Sequence, residues 1–151
     1  MMTEDDVKSG SHFDDEIAYG GWPMDDHNPY GMRKNGGSNT ASVMIPVDEP
    51  YGIPLRSLYS KNIDNLMMVG RCISVTHLGL GPVRVQLTIG TMGQAVATAA
   101  YLCKKRSTTP RCIRADHIDE LQQLLLRDGM TIPGVKNHDR NDLALQASAS
   151  A

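Results

Sequence analysis

The stretch GRCISVTHLGLGPVRVQLTIGTMGQAVATAA, from Gly70 to Ala100, holds two arginines close to glycines, Arg71 and Arg84, one imidazole, His77, and no acidic residue. Guanidinium groups beside an open backbone suit an anionic or electron-rich partner, because charge-assisted hydrogen bonds are short and strong. They equally suit structural carboxylates. His77 follows Ser74 and Thr76. It can pass a proton to a bound molecule, since imidazole titrates near neutrality, or it can satisfy loop carbonyls. Gly79 and Gly81 would let a ligand approach the main chain. Gly90, Gly93, Ala97 and Ala100 recur at spacings of 3, 4 and 3. On a helix they share one narrow face, against which another backbone or a flat ring can lie. Plain tight packing explains the same pattern.

Other chemistry-bearing residues are sparser. Asp25, Asp26 and His27 suggest a metal at first sight. Adjacent side chains in a loop seldom converge on one ion, and no further ligands are evident, so no metal site is expected. Arg56 either holds an anionic substrate or pairs with an acid. Trp22 and the Met67-Met68 pair read as packing. Cys72, Cys103 and Cys112 cannot all pair internally and form no CxxC, so reduced thiols are the simplest reading. Gly79-Leu80-Gly81-Pro82-Val83-Arg84 has two of the three glycines of GxGxxG. It lacks the third, and Lys104 and Lys105 stand where the fingerprint wants an acid.

The elements that would position these groups follow from pattern. Residues 1–15 are polar and read as flexible. Residues 16–24 suit a strand ending at Gly20-Gly21, and residues 25–42 read as loop. Val43-Met44-Ile45 is a short strand, and Pro50 to Tyr59 is extended or turned. Leu66-Met67-Met68-Val69, closed by Gly70, is an apolar run suited to a strand buried on both faces of a parallel sheet. Residues 71–81 form a loop. Pro82 suits a first helical turn, and the helix runs to about Cys103, with Lys104, Lys105 and Arg106 at its negative end. A second helix spans 116–128, capped by Asp116 and closed by Gly129. Residues 134–151 decline into a polar tail.

Composition bounds the rest. The chain has 151 residues, 40% hydrophobic, with net charge -2. That balance fits a soluble globular protein and gives no reason to expect nucleic acid. No apolar run reaches membrane-spanning length, so no membrane partner is expected. The start, MMTEDDVKSG, is too polar and acidic for a secretory signal, and the compartment stays open.

At the motif level the chain resembles the C-terminal flavin-binding segment of FAD-dependent oxidoreductases. NLMMVGRCISVTHLGLGPVRVQLTIGTMGQAVATAA carries the resemblance, with AYGGWPMDDHNP, PYGIPLRSLYSKNIDNL and HIDELQQLLLRDGMTIPG in the same order. It covers roughly Asp15 to Ala144. The fold class it implies is α/β and partial: the last strand and helices of a Rossmann-like FAD-binding domain plus part of a substrate domain. On that reading residues 16–60 are substrate-side, 61–135 belong to the FAD-binding domain and 136–151 form a tail or linker. FAD is the implied cofactor. Gly70, Arg71, Gly81, Val83, Arg84 and Val85 would bind it, and His77, His27 and Arg56 would serve catalysis. Pro82 departs from the family, whose members usually carry a small hydroxyl residue there. The implied reaction is hydride transfer between a small organic substrate and FAD, completed by a missing N-terminal FAD-binding segment or a partner chain. A non-catalytic remnant or interaction module is the alternative.

Overall fold

A computed structural model describes residues 1–31 and 41–148. The described part is mixed α/β: five helices, α1 (Glu4–Lys8), α2 (His77–Val83), α3 (Gln86–Arg106), α4 (Pro110–Asp116) and α5 (Ile118–Arg127), with two small sheets. Strand β1 (Glu16–Gly20) pairs antiparallel with β4 (Tyr51–Pro54), placing Tyr19 opposite Gly52. Strand β2 (Met24–His27) pairs antiparallel with β3 (Ser42–Ile45), His27 opposite Ser42. No helix among the described residues is long and apolar enough to cross a membrane.

Helix α3 is the spine. Thr88, Met92, Ala95, Ala99 and Leu102 repeat at helical spacing and are buried. They pack toward β1, α4 and α5, where Ile17, Ala18, Ile113, Leu121 and Leu125 have no exposed surface. The opposite side of α3 is also poor in charge, yet Leu87 is 84% and Tyr101 58% exposed. The helix ends as its composition requires. Lys104, Lys105 and Arg106 occupy the last turn, and Ser107 takes a left-handed conformation at φ 51°.

Several sequence-based expectations are corrected. Residues 1–15 are not a loose lead-in. Thr3 and Asp6 form a reciprocal cap on α1, and Met2 and Val7 are buried. A one-turn helix with one apolar side chain is too short to show a period. Leu66 to Val69 do not form a strand. Met67 makes an isolated antiparallel bridge to Tyr59, while Leu66 and Val69 are exposed. An apolar run becomes a strand only when a neighbour supplies a ladder of hydrogen bonds; here Ser60 N–H donates to Leu66 O at 2.9 Å and Met68 N–H donates to Leu58 O at 2.8 Å, which together make one bridge. The glycine-rich loop expected over 71–81 gives way to α2 from His77, so Pro82 lies near the end of one helix instead of opening the next. The segment Asp25–His27 is strand, not loop; residues 32–40 of the expected loop lie outside the described residues. The helix expected over 116–128 is preceded by α4, and His117 (φ −136°), not Asp116, caps α5. Gly129 closes it as expected, at φ +86°, with Met130 N–H donating to Leu125 O at 2.9 Å. The tail is docked on α5: Gln123 donates to Lys136 O at 3.0 Å and accepts from His138 N–H at 2.7 Å.

Two adjacent acids lock the sheet to the helices. Asp15 is 1% exposed and accepts from Arg56 Nε at 2.7 Å, Arg56 N–H at 2.9 Å and Arg114 Nε at 3.0 Å. Burial alone would raise its pKa, but the hydrogen bonds and charge of Arg56, with Arg114, hold it below the usual carboxylate range. Glu16, equally buried, has the opposite balance. Its Oε2 lies 2.8 Å from His12 Nδ1, while Oε1 has no hydrogen-bond partner among the described residues. Burial raises its pKa despite His12.

The signs of these shifts oppose each other. The stability supplied by Asp15 is present above its unfolded-state pKa and is lost as pH falls through the depressed folded value. Glu16 favours the fold below its unfolded-state pKa and loses that contribution as pH rises through the elevated folded value. Glu16→Gln is therefore expected to raise the melting temperature at neutral pH, with the gain shrinking in acid. Asp15→Asn is expected to cost about 3 kcal/mol at neutral pH, since it takes the charge partner from Arg114 and leaves Arg56 with Asp14 alone. Thermal unfolding of both variants across pH measures each effect.

Candidate functional site

The site is built where α2 meets β2. A Cβ on Gly81 would lie 2.8 Å from Asp25 O and 2.9 Å from Asp25 N. Only glycine lets the helix come this close to the strand. The glycine expected to admit a ligand therefore admits the protein's own backbone. Gly79 behaves similarly: a Cβ there would meet the Val75 side chain at 2.8 Å.

This contact forms a cleft of about 260 Å³ lined by Asp25, Asp26, His27, Arg71, His77, Leu80, Gly81 and Arg84. Asp25 is its hub. One carboxylate oxygen, Oδ2, accepts from His27 Nε2 at 2.8 Å and from Arg84 Nη2 at 3.4 Å. The other, Oδ1, is buried without a hydrogen-bond partner among the described residues. His77 Nε2 lies 3.9 Å from Asp26 Oδ1. An ionised Asp25 carboxylate can only accept, so this contact places a proton on His27 Nε2. Arg71 takes no carboxylate partner among the described residues. No group of three or more His, Cys, Asp or Glu side chains among them converges to hold a metal ion.

Five sequence-predicted residues, His27, Arg71, His77, Gly81 and Arg84, thus share one cleft. Gly70, Val83 and Val85 do not line it. Gly70 starts the turn carrying Arg71 at φ +73°, facing Ile89 of α3, where a Cβ would sit 3.6 Å away. Val83 is buried in the core, and Val85 caps α3. Arg56 lies apart, committed to Asp14 and Asp15.

Beyond Arg84 the chain enters α3, whose cap, Val85, offers no side-chain acceptor. The amides of Gln86, Leu87 and Thr88 open a helix of 21 residues. They concentrate about half a positive charge at that end. Beside them runs a smooth strip: Gly90 and Gly93 have nothing within 4 Å of a built Cβ. Thr88 and Thr91 also face a second cleft, of about 340 Å³, bounded by Gly20, Gly21 and Gly129. Two features escaped the sequence. Asp25 was weighed only as a metal ligand, and its hub role depends on Arg84, distant in sequence. The second cleft joins three separate segments. Its one linear trace is the Gly20-Gly21 pair.

The glycines give opposite expectations. Gly81→Ala is expected to destabilise the fold by about 1–3 kcal/mol, because its methyl meets rigid backbone. Gly90→Ala is expected to stabilise it by about 0.5–1 kcal/mol, the usual gain in an open helix interior. Chemical denaturation of the two variants distinguishes the closed contact from the open face.

No curated protein and no solved structure matches the chain. A family model does. The one described as FAD dependent oxidoreductase matches residues 1–125, including α1 and all of the candidate site. That span extends further toward the N-terminus than the motifs alone suggest, in keeping with the packed α1. With most of its length inside the match, the chain belongs to the FAD dependent oxidoreductase family.

Proposed function

We propose that this chain supplies the ring-facing helix end and the proton-handling cleft of an oxidoreductase that moves a hydride between a small organic substrate and FAD. One observation carries the reading. An uncapped, positively polarised helix start lies beside two open glycines, Gly90 and Gly93, directly after a cleft containing two imidazoles and two arginines.

The donor set fits the ring of the cofactor. A flavin ring is flat, mostly apolar and edged by carbonyl and nitrogen acceptors. Gly90 and Gly93 offer an unobstructed face, and the amides opening α3 offer donors to an acceptor edge. The diphosphate is another matter. No GxGxxG occurs in the sequence, so the adenine and diphosphate half falls to another segment or a partner chain. When bound, FAD supplies the hydride-accepting centre. This chain's residues do the rest. Amide donors at the start of α3 stabilise negative charge without reorganising. Asp25 orients His27 and tethers Arg84. His27 Nδ1 and the exposed His77 are placed to take or give a proton. Arg71, without a carboxylate partner among the described residues, is the group available to an anionic substrate.

Pure binding to another polypeptide is the second reading. The exposure of Leu87 and Tyr101 on the outer face of α3 favours it. Fluorescence titration separates the two. Riboflavin and FAD are expected to bind the purified chain with similar strength, since only the ring is held. Gly90→Leu is expected to abolish the quenching, whereas Asp25→Asn leaves it intact. A stable, monodisperse chain that quenches neither flavin would overturn the ring-side proposal and favour the interaction module.

A further inference from the structure

A separate concavity of about 440 Å³ lies where the turn Leu55–Ser57, the segment Tyr59–Lys61 and the first turn of α4 meet. Arg56, Lys61 and Arg111 line it, with Tyr59, Ser60 and Ser74. These cations differ in status. Arg56 is neutralised by Asp14 and buried Asp15. Lys61 and Arg111 have no carboxylate partner among the described residues. Arg111 is nevertheless held in place. Its Nη2 donates to Lys61 O at 2.8 Å, and its guanidinium carbon lies 5.4 Å from the centre of the Tyr59 ring. A guanidinium bound through one nitrogen to a neutral carbonyl and over one ring face keeps its remaining donors for something else.

Ser60 has a comparable surplus. Its Oγ accepts from the amides of Asn62 at 3.3 Å and Ile63 at 3.1 Å, which leaves the hydroxyl proton to be donated outward. The cleft thus gathers a preorganised guanidinium, an ammonium and a hydroxyl donor, all lacking an anionic acceptor. Repulsion between the two cations opposes that arrangement until an anion enters. Three donors arriving from two chain segments, Ser60 and Lys61 from one and Arg111 from α4, suit a tetrahedral group with several oxygens better than a planar carboxylate.

We propose that this cleft binds the phosphoryl group of a small soluble ligand, with Arg111 and Lys61 as charge partners and Ser60 as hydroxyl donor. The inference does not rest on the flavin reading, because none of these residues lines the clefts beside α3.

Calorimetric titration of the full chain with inorganic phosphate and pyrophosphate tests it, with acetate as the carboxylate comparison. Pyrophosphate is expected to bind more tightly than acetate and to weaken as salt is raised. Lys61→Gln, an exposed change that leaves the fold alone, is expected to weaken it about tenfold, and Arg111→Gln at least as much. Lys136→Gln, on the docked tail, is expected to change nothing. Competition then identifies the source: displacement of pyrophosphate by FAD assigns the site to a dinucleotide diphosphate, and its retention assigns it to another phosphate ester. Binding no tighter than acetate, or equal in wild type and Lys61→Gln, would overturn the proposal.

Discussion

Asp15 holds three parts of the chain at one point. Its carboxylate, nearly sealed from water, accepts from Arg56 of the turn after β4 and from Arg114 of α4. Its main-chain oxygen takes the Leu55 amide at 2.8 Å. A buried carboxylate is costly unless every oxygen is satisfied, so the three segments cannot drift independently. β1 and β4 are thereby registered, α4 is fixed against them, and α3 is packed in place. The basic cleft near Arg111 inherits its shape from this arrangement, since Arg56 and α4 form two of its walls. Glu16, next in the chain, has a carboxyl oxygen without a hydrogen-bond partner among the described residues, which makes the same corner sensitive to pH.

Around α3 the protein divides its work. One side builds the core with Met92, Ala95, Ala99 and Leu102. The other presents Leu87, Gly90, Ala97 and Tyr101 to solvent. A helix apolar on both sides belongs between two layers, and among the described residues only one layer is present. This gives the ring-side proposal its physical footing. A helix start without a capping side chain, beside the open Gly90 and Gly93, has unused capacity for both hydrogen bonding and contact.

The family assignment and the geometry meet at the same residues without being the same argument. The family match spans α1 to most of α5 and places FAD in the chain's background. Geometry adds that Asp25, not the glycines, organises the cleft, and that Arg56 serves the fold. Arg71, Lys61 and Arg111 line clefts without a carboxylate partner among the described residues.

What the sequence determined by itself was local. The polarity of α3, its basic last turn, the left-handed Gly129 and the strands near Glu16 and Val43 follow from side-chain type and spacing, which act within a few residues, whereas the α/β class came from the family resemblance. The gathering of His27, His77, Arg71 and Arg84 was legible only as a set of candidates. Tertiary structure decided the remainder. It made Gly81 a seat for Asp25, turned Arg56 into a clamp, folded residues 1–15 onto the core and left Leu66 to Val69 without a full strand partner. Each outcome depends on a neighbour distant in sequence. Close approach, charge pairing and strand hydrogen bonding belong to pairs of segments, and no single segment encodes them.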